Sequence, residues 1–254
     1  MPNKLPFGPK RSRHPASLVC LPWRAYRGEN PNRMVTQMSL SRLLSAIAIA
    51  TLPAAASAEM ELSFYGGAQS APHTNVTVSG DSVLPDLEFT AGWDGRSLAM
   101  PPYYGVRATW WRTDTWGWGF DINHAKVYAD DETLAETGYD HLEFSDGLNI
   151  LTVNAYRRWP GRWDDFTPYV GAGLGIAVPH FELIDEGTKT WGYQYTGPAI
   201  ALMAGTSYDI NDTWSVFAEY KFTFSMNTAK LDTGGTFETN IPTNALNIGV
   251  AYKF

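Results

Sequence analysis

Four histidines, His73, His124, His141 and His180, stand among Asp130, Asp131, Glu132, Asp140, Glu143 and Glu182 in the chain that follows residue 58. Imidazole with carboxylate, and no thiolate, suits zinc, manganese, cobalt or non-haem iron, and two histidines with one carboxylate leave positions open for oxygen. The divalent-metal set read from the sequence is His124 with two of His73, Asp130, His141 and His180. No tight motif such as H-E-x-x-H fixes that set, and an acidic, solvated loop with incidental histidines is the competing reading. His124, Lys126 and Tyr128 recur at every second residue, the spacing that puts side chains on one face of a strand. These three are the candidate catalytic residues, and Lys126 with Arg96 supplies cations for substrate phosphates. For Lys126 the alternative is an anchor snorkelling to lipid headgroups.

The elements that must position these groups read as strands. From Trp116, one face carries Trp116, Trp118, Phe120 and Ile122, and the other Gly117, Gly119, Asp121 and Asn123. The same period of two recurs over 61–73, 103–111, 148–158, 167–179, 197–208 and 214–226, and in a last strand ending Leu246, Ile248, Val250, Tyr252 and Phe254. Apolar faces repeated in this way, with aromatics at their ends, predict an all-β, eight-stranded, antiparallel, up-and-down transmembrane β-barrel. A barrel of eight strands is filled by side chains, so a general porin is excluded. Arg107, Asp121, Glu219 and Lys221 all fall on the inward face, which predicts a paired internal ion network. Long loops over 74–102, 129–146, 180–196 and 227–244 alternate with short turns, so all four histidines fall on the extracellular half. Trp93, Tyr103, Trp110 and Trp191 read as interfacial girdle residues. The glycines of Gly171-Ala-Gly-Leu-Gly175 point inward and make room for large neighbours; no helix pattern follows them, so they build no dinucleotide site.

Residues 1–37 read as an over-called or disordered extension, and residues 38–58 as a cleavable signal peptide, with Arg42, an apolar run from Leu43 to Leu52, and Ala56-Ser57-Ala58 at the cleavage site. The barrel then spans 59–254. The one cysteine, Cys20, lies in the removed part, which excludes disulfides, thiolate metal sites and cysteine nucleophiles. Residues 1–58 hold eight of the 19 basic and one of the 26 acidic residues, leaving a net charge of −14 on the barrel. Nucleic acid is not a partner for such a surface.

MPPYYGVRATWW (100–111), HAKVYADDE (124–132), LEFSDGLNI (142–150) and TGP (196–198) resemble the lipid A oxidase family of alphaproteobacterial outer membranes, itself a small barrel of the OmpA/OmpX-like kind. The resemblance covers most of residues 59–254. It implies an oxidoreductase that uses oxygen to convert the proximal glucosamine of lipid A to 2-aminogluconate, with a divalent metal and without haem, flavin or nicotinamide. It assigns no residue roles. The partners it implies are the lipid A of lipopolysaccharide, the Gram-negative outer membrane and its assembly machinery, for a monomer. The lipid A deacylases are disfavoured, because Phe224-Ser-Met-Asn227 lacks the histidine of their His-x-Ser-Asn motif. The alternative function is a non-enzymatic barrel for structure, adhesion or surface protection; a conduit for small apolar molecules would need a lateral opening.

Overall fold

A computed structural model describes residues 59–185 and 187–254, with the side chains of Ser145 and Asp146 left aside. The expected extension and signal peptide lie outside the described residues. In chain order the elements are β1 (Glu59–Ser70), β2 (Thr74–Ser79), β3 (Leu87–Ala91), β4 (Trp93–Asp94), β5 (Tyr104–Trp111), β6 (Trp116–Ala129), α1 (Asp131–Thr137), β7 (His141–Arg158), β8 (Phe166–Ala177), β9 (His180–Asp185), β10 (Thr188–Tyr193), β11 (Gly197–Asp209), β12 (Trp214–Lys230) and β13 (Thr236–Lys253). Strands β1, β5, β6, β7, β8, β11, β12 and β13 form an antiparallel ring that closes where β1 pairs β13, from Glu61↔Lys253 to Ser70↔Asn244. Closure leaves the ring without an edge, as a sheet in hydrocarbon requires.

Period-two alternation sets the two faces. Leu62, Phe64, Phe120, Ile122, Leu174, Leu202, Leu246 and Ile248 are exposed on the outside and form an apolar belt. Inside, Arg107 spans the lumen: Nε donates to Asp121 Oδ2 at 2.9 Å, and the two terminal nitrogens donate to the Glu219 carboxylate at 2.8 Å each. Lys221 pairs with Asp121 and donates to Tyr65 Oη at 2.6 Å, while Tyr169 Oη donates to Glu219 at 2.9 Å. The predicted ion network is therefore present and carries all four expected residues. Gly171 is glycine because a Cβ there would lie 2.6 Å from the Tyr156 ring.

Three of the expected long loops instead continue the sheet. β2 and β3 form a hairpin that pairs β13, β9 and β10 form one that pairs β7, and β12 and β13 run on to a turn after Lys230. The reason is that alternation persists above the belt. Val76, Val78, Leu142, Phe144, Phe181, Leu183, Phe237 and Ile241 are all buried in one apolar core inside the extracellular end. Each such side chain is worth about 2–3 kcal/mol of burial. This core also removes Trp93 and Tyr103 from the girdle: both are buried, with Trp93 edge-on to Phe144 and Trp93 Nε1 donating to Thr74 Oγ1.

Candidate functional site on the outer wall

Just above Ile122 the barrel wall changes partners. β5 ends at Tyr104, opposite His124, and higher up β6 pairs β4 through Asp94↔Tyr128. On the other side β7 leaves β8 after Ile150↔Ala177 and pairs β9 through Glu143↔Glu182. A bulge accompanies the change: Ala125 faces Leu148 while Val127 faces Phe144. Gly147 takes φ 106° there and packs against the His124 ring, where a Cβ has no room. These pairings lay Asp94, Tyr128, Glu143, Glu182 and Trp191 side by side in one row on the outer face.

Two cations converge on Tyr128. The Arg96 guanidinium lies 4.7 Å from its ring centroid and Lys126 Nζ 5.3 Å, both within cation–π range. Arg96 is exposed and also reaches Asp94 at 3.3 Å. Lys126 keeps the outward parity read from the sequence, yet it is fully buried at the bulge and does not extend to headgroups as a snorkelling anchor would. Beside Tyr128, His141 Nε2 lies 2.8 Å from Glu143 Oε2, and Lys189 Nζ lies 2.8 Å from Glu182 Oε1. One donor atom from each of His141, Glu143 and Glu182 falls within 4.8 Å of the others. Burial pushes the Glu143 carboxyl above the usual carboxylate range, with the Glu182 charge adding to it, against the downward pull of His141 and Lys126. One imidazole and two carboxylates match the donor set of manganese, iron, cobalt or zinc, and adjacent carboxylates that repel one another are relieved by a dication.

The other expected ligands stand apart from this trio. His124 stacks on Tyr104 at 4.9 Å, with Nδ1 3.0 Å from Asn149 Oδ1. His180 is buried, edge-on to Trp191 and Tyr193 at 4.8 Å each. His73 is exposed in the turn between β1 and β2. Asp130 caps α1, accepting from the Thr133 amide at 2.8 Å. The Thr133 amide and hydroxyl hold the Asp130 carboxyl below its usual range, with a smaller contribution from His73. Among the described residues, His141 is thus the one member of the expected metal set that joins a three-donor cluster, and Glu143 and Glu182 complete it. Sequence reading placed those two only as companions of the histidines. Their common parity with His141 and His180 was the available signal.

The family profile described as outer membrane protein beta-barrel domain matches residues 43–254. No curated protein matches the chain. Similar solved structures include neisserial surface protein A, at 15% identity and a TM-score of 0.44, covering 77% of this chain and 97% of that one. AlkL, determined in lipid bilayers, has 14% identity and a TM-score of 0.47, covering 80% and 95%. OprG from Pseudomonas aeruginosa has 14% identity and a TM-score of 0.44, covering 78% and 96%.

Proposed function

The chain belongs to the outer membrane protein β-barrel family of the Gram-negative outer membrane, and from that premise we propose that it is an enzyme that oxidises lipid A in the outer leaflet. The observation that carries the reading is one of position. Arg96 and Lys126 meet on Tyr128 next to the His141, Glu143 and Glu182 cluster, on the outward face one step above the apolar belt. A lipid diffusing sideways in the leaflet reaches that face without entering the barrel. One of its phosphates would meet the exposed Arg96, with the buried Lys126 adding its charge from behind the Tyr128 ring. Its acyl chains would lie on the belt below.

The reaction proposed is the one that the sequence resemblance implies: the C1 lactol of a proximal glucosamine that carries no 1-phosphate loses two electrons and two protons to oxygen, which leaves as hydrogen peroxide, and water opens the resulting lactone to 2-aminogluconate. A divalent metal held by His141, Glu143 and Glu182 would supply oxygen activation beside that sugar. His124 and Tyr128 flank the approach: stacking on Tyr104 and contact with Asn149 fix the His124 ring, and the Tyr128 ring carries the two cations beside Glu143 in the same row. The closed ring acts as a monomer, inserted by the outer-membrane assembly machinery.

Variants separate binding from chemistry. Arg96→Gln should raise the lipid A concentration needed for half-maximal turnover about tenfold, because it removes a charge-assisted phosphate contact, whereas Lys126→Met should raise it less, because Lys126 is buried and acts only through its charge. His141→Ala and Glu143→Gln should abolish turnover of bound lipid and weaken Mn²⁺ binding together. Full turnover by His141→Ala would remove the proposal. A non-enzymatic barrel is the second reading, and one observation favours it: His141 and Lys189 already contact the cluster's two carboxylates at 2.8 Å each.

A further inference from the structure

At the opposite end of the barrel the outer wall is hollowed. Trp159, Arg162 and Trp163, in the turn between β7 and β8, overhang a groove of about 820 Å³ floored by Val170, Ala204, Thr206 and Ala218. Register explains the hollow: Ala204 stands beside Val170, and Thr206 beside Ala218, on outward positions where the next residue up the same strand face is the exposed Leu202. The groove therefore opens onto the apolar belt, and whatever fills it must enter from the bilayer. Its volume lies within the range of sites that bind small molecules.

One charge on the groove wall, Arg162, and one beside its floor, Arg157, select the occupant. Arg157, outward on β7 beside Val170, lies 4.8 Å from the Trp116 ring centroid and 5.6 Å from that of Trp159. Arg162 is exposed on the groove wall. Among the described residues neither arginine has a carboxylate within ion-pair distance, although Asp164 and Asp165 share the turn with Arg162. By contrast, Arg158 pairs with Glu59 and Lys253 with Asp209 at the same rim. In a barrel of net charge −14, two uncompensated arginines at the level of the periplasmic headgroups, Arg157 held over Trp116 and Trp159 and Arg162 exposed on the groove wall, are an anion site.

We propose that this groove binds one anionic phospholipid of the periplasmic leaflet, with its phosphate between Arg157 and Arg162 and an acyl chain over Ala204 and Ala218. The site is separate from the outer-leaflet face and does not depend on the oxidase reading. It fixes the rotational setting of one wall of the barrel in the inner leaflet, through lipid rather than through protein.

Protein extracted from outer membranes is incorporated into phosphatidylcholine vesicles containing a minority of phosphatidylglycerol, then released and weighed by native mass spectrometry. One phosphatidylglycerol should be retained in preference to phosphatidylcholine. The Arg157→Gln/Arg162→Gln double variant should weaken that retention about thirtyfold, while Arg112→Gln, an exposed arginine of another turn, leaves it unchanged. A photo-crosslinking residue at Trp163 should attach to phospholipid in intact outer membranes. Equal retention of the two lipids, equal loss in Arg112→Gln, or a crosslink from position 163 to a polypeptide would each overturn the proposal. Gel mobility with and without heating shows that each variant is folded before it is weighed.

Discussion

Asp121 is the residue on which the interior most depends, since it takes Arg107, Lys221 and the Tyr65 hydroxyl at once. Removing its charge leaves two cations in the lumen with one carboxylate between them. Asp121→Asn should therefore destabilise the barrel by about 3–5 kcal/mol, read from urea unfolding in lipid vesicles. This network was legible in the sequence because inward parity alone specifies it. Asp130 acts differently. Its carboxyl caps α1 and is held below the free value, so the part of its contribution that depends on charge is complete above the unfolded pKa, about 3.9, and is lost as pH falls through the lower folded value. Asp130→Ala should cost α1 about 1 kcal/mol at neutral pH, seen as reduced protection of the Thr133 and Leu134 amides, and should cost less at a pH below the folded value, where the neutral carboxyl still accepts from the Thr133 amide but its charge no longer contributes. The metal role read for Asp130 came from residue type. Only the helix that follows it shows what the carboxylate is spent on.

The bulge opposite Lys126 is the element that builds the outer-wall site. It lets β6 and β7 leave β5 and β8 and take β4 and β9, which brings Glu143 beside Glu182. Gly147 holds it at a positive φ against His124. Gly147→Ala should cost about 1–3 kcal/mol, confined to the outer extension. Hydrogen exchange should speed up in 141–148 and stay unchanged in the belt segments of β6 and β7, and Mn²⁺ affinity should fall. Exchange that rises evenly around the ring would place the bulge's importance elsewhere. The eight spanning strands were legible from period two, which hydrocarbon on one side and a packed lumen on the other impose together. The hairpins β2–β3 and β9–β10 were read as loops, although Val76 and Val78, and Phe181 and Leu183, alternate as clearly as any belt residue. Their short length and the polar residues around them hid the alternation. Nothing local in the sequence marks a change of strand neighbour, and so the cluster of His141, Glu143 and Glu182 could not be assembled before the register was known.

At the scale of the whole molecule, the lumen is closed twice, by the ion network within the belt and by the apolar core around Phe144, Phe181 and Phe237 above it. Protein in planar bilayers should therefore show no porin-sized conductance, and steady openings would contradict the closed interior. The function proposed sits on the outside of the wall, where the lipid is. The measurement that tests this most directly is mass spectrometry of lipid A incubated in air with the folded protein, with and without a chelator. The account predicts one added oxygen atom on the proximal sugar, lost when the chelator is present and restored by Mn²⁺ or Fe²⁺. Unchanged lipid A from folded, metal-loaded protein would contradict it and leave a barrel whose outer wall serves structure or adhesion.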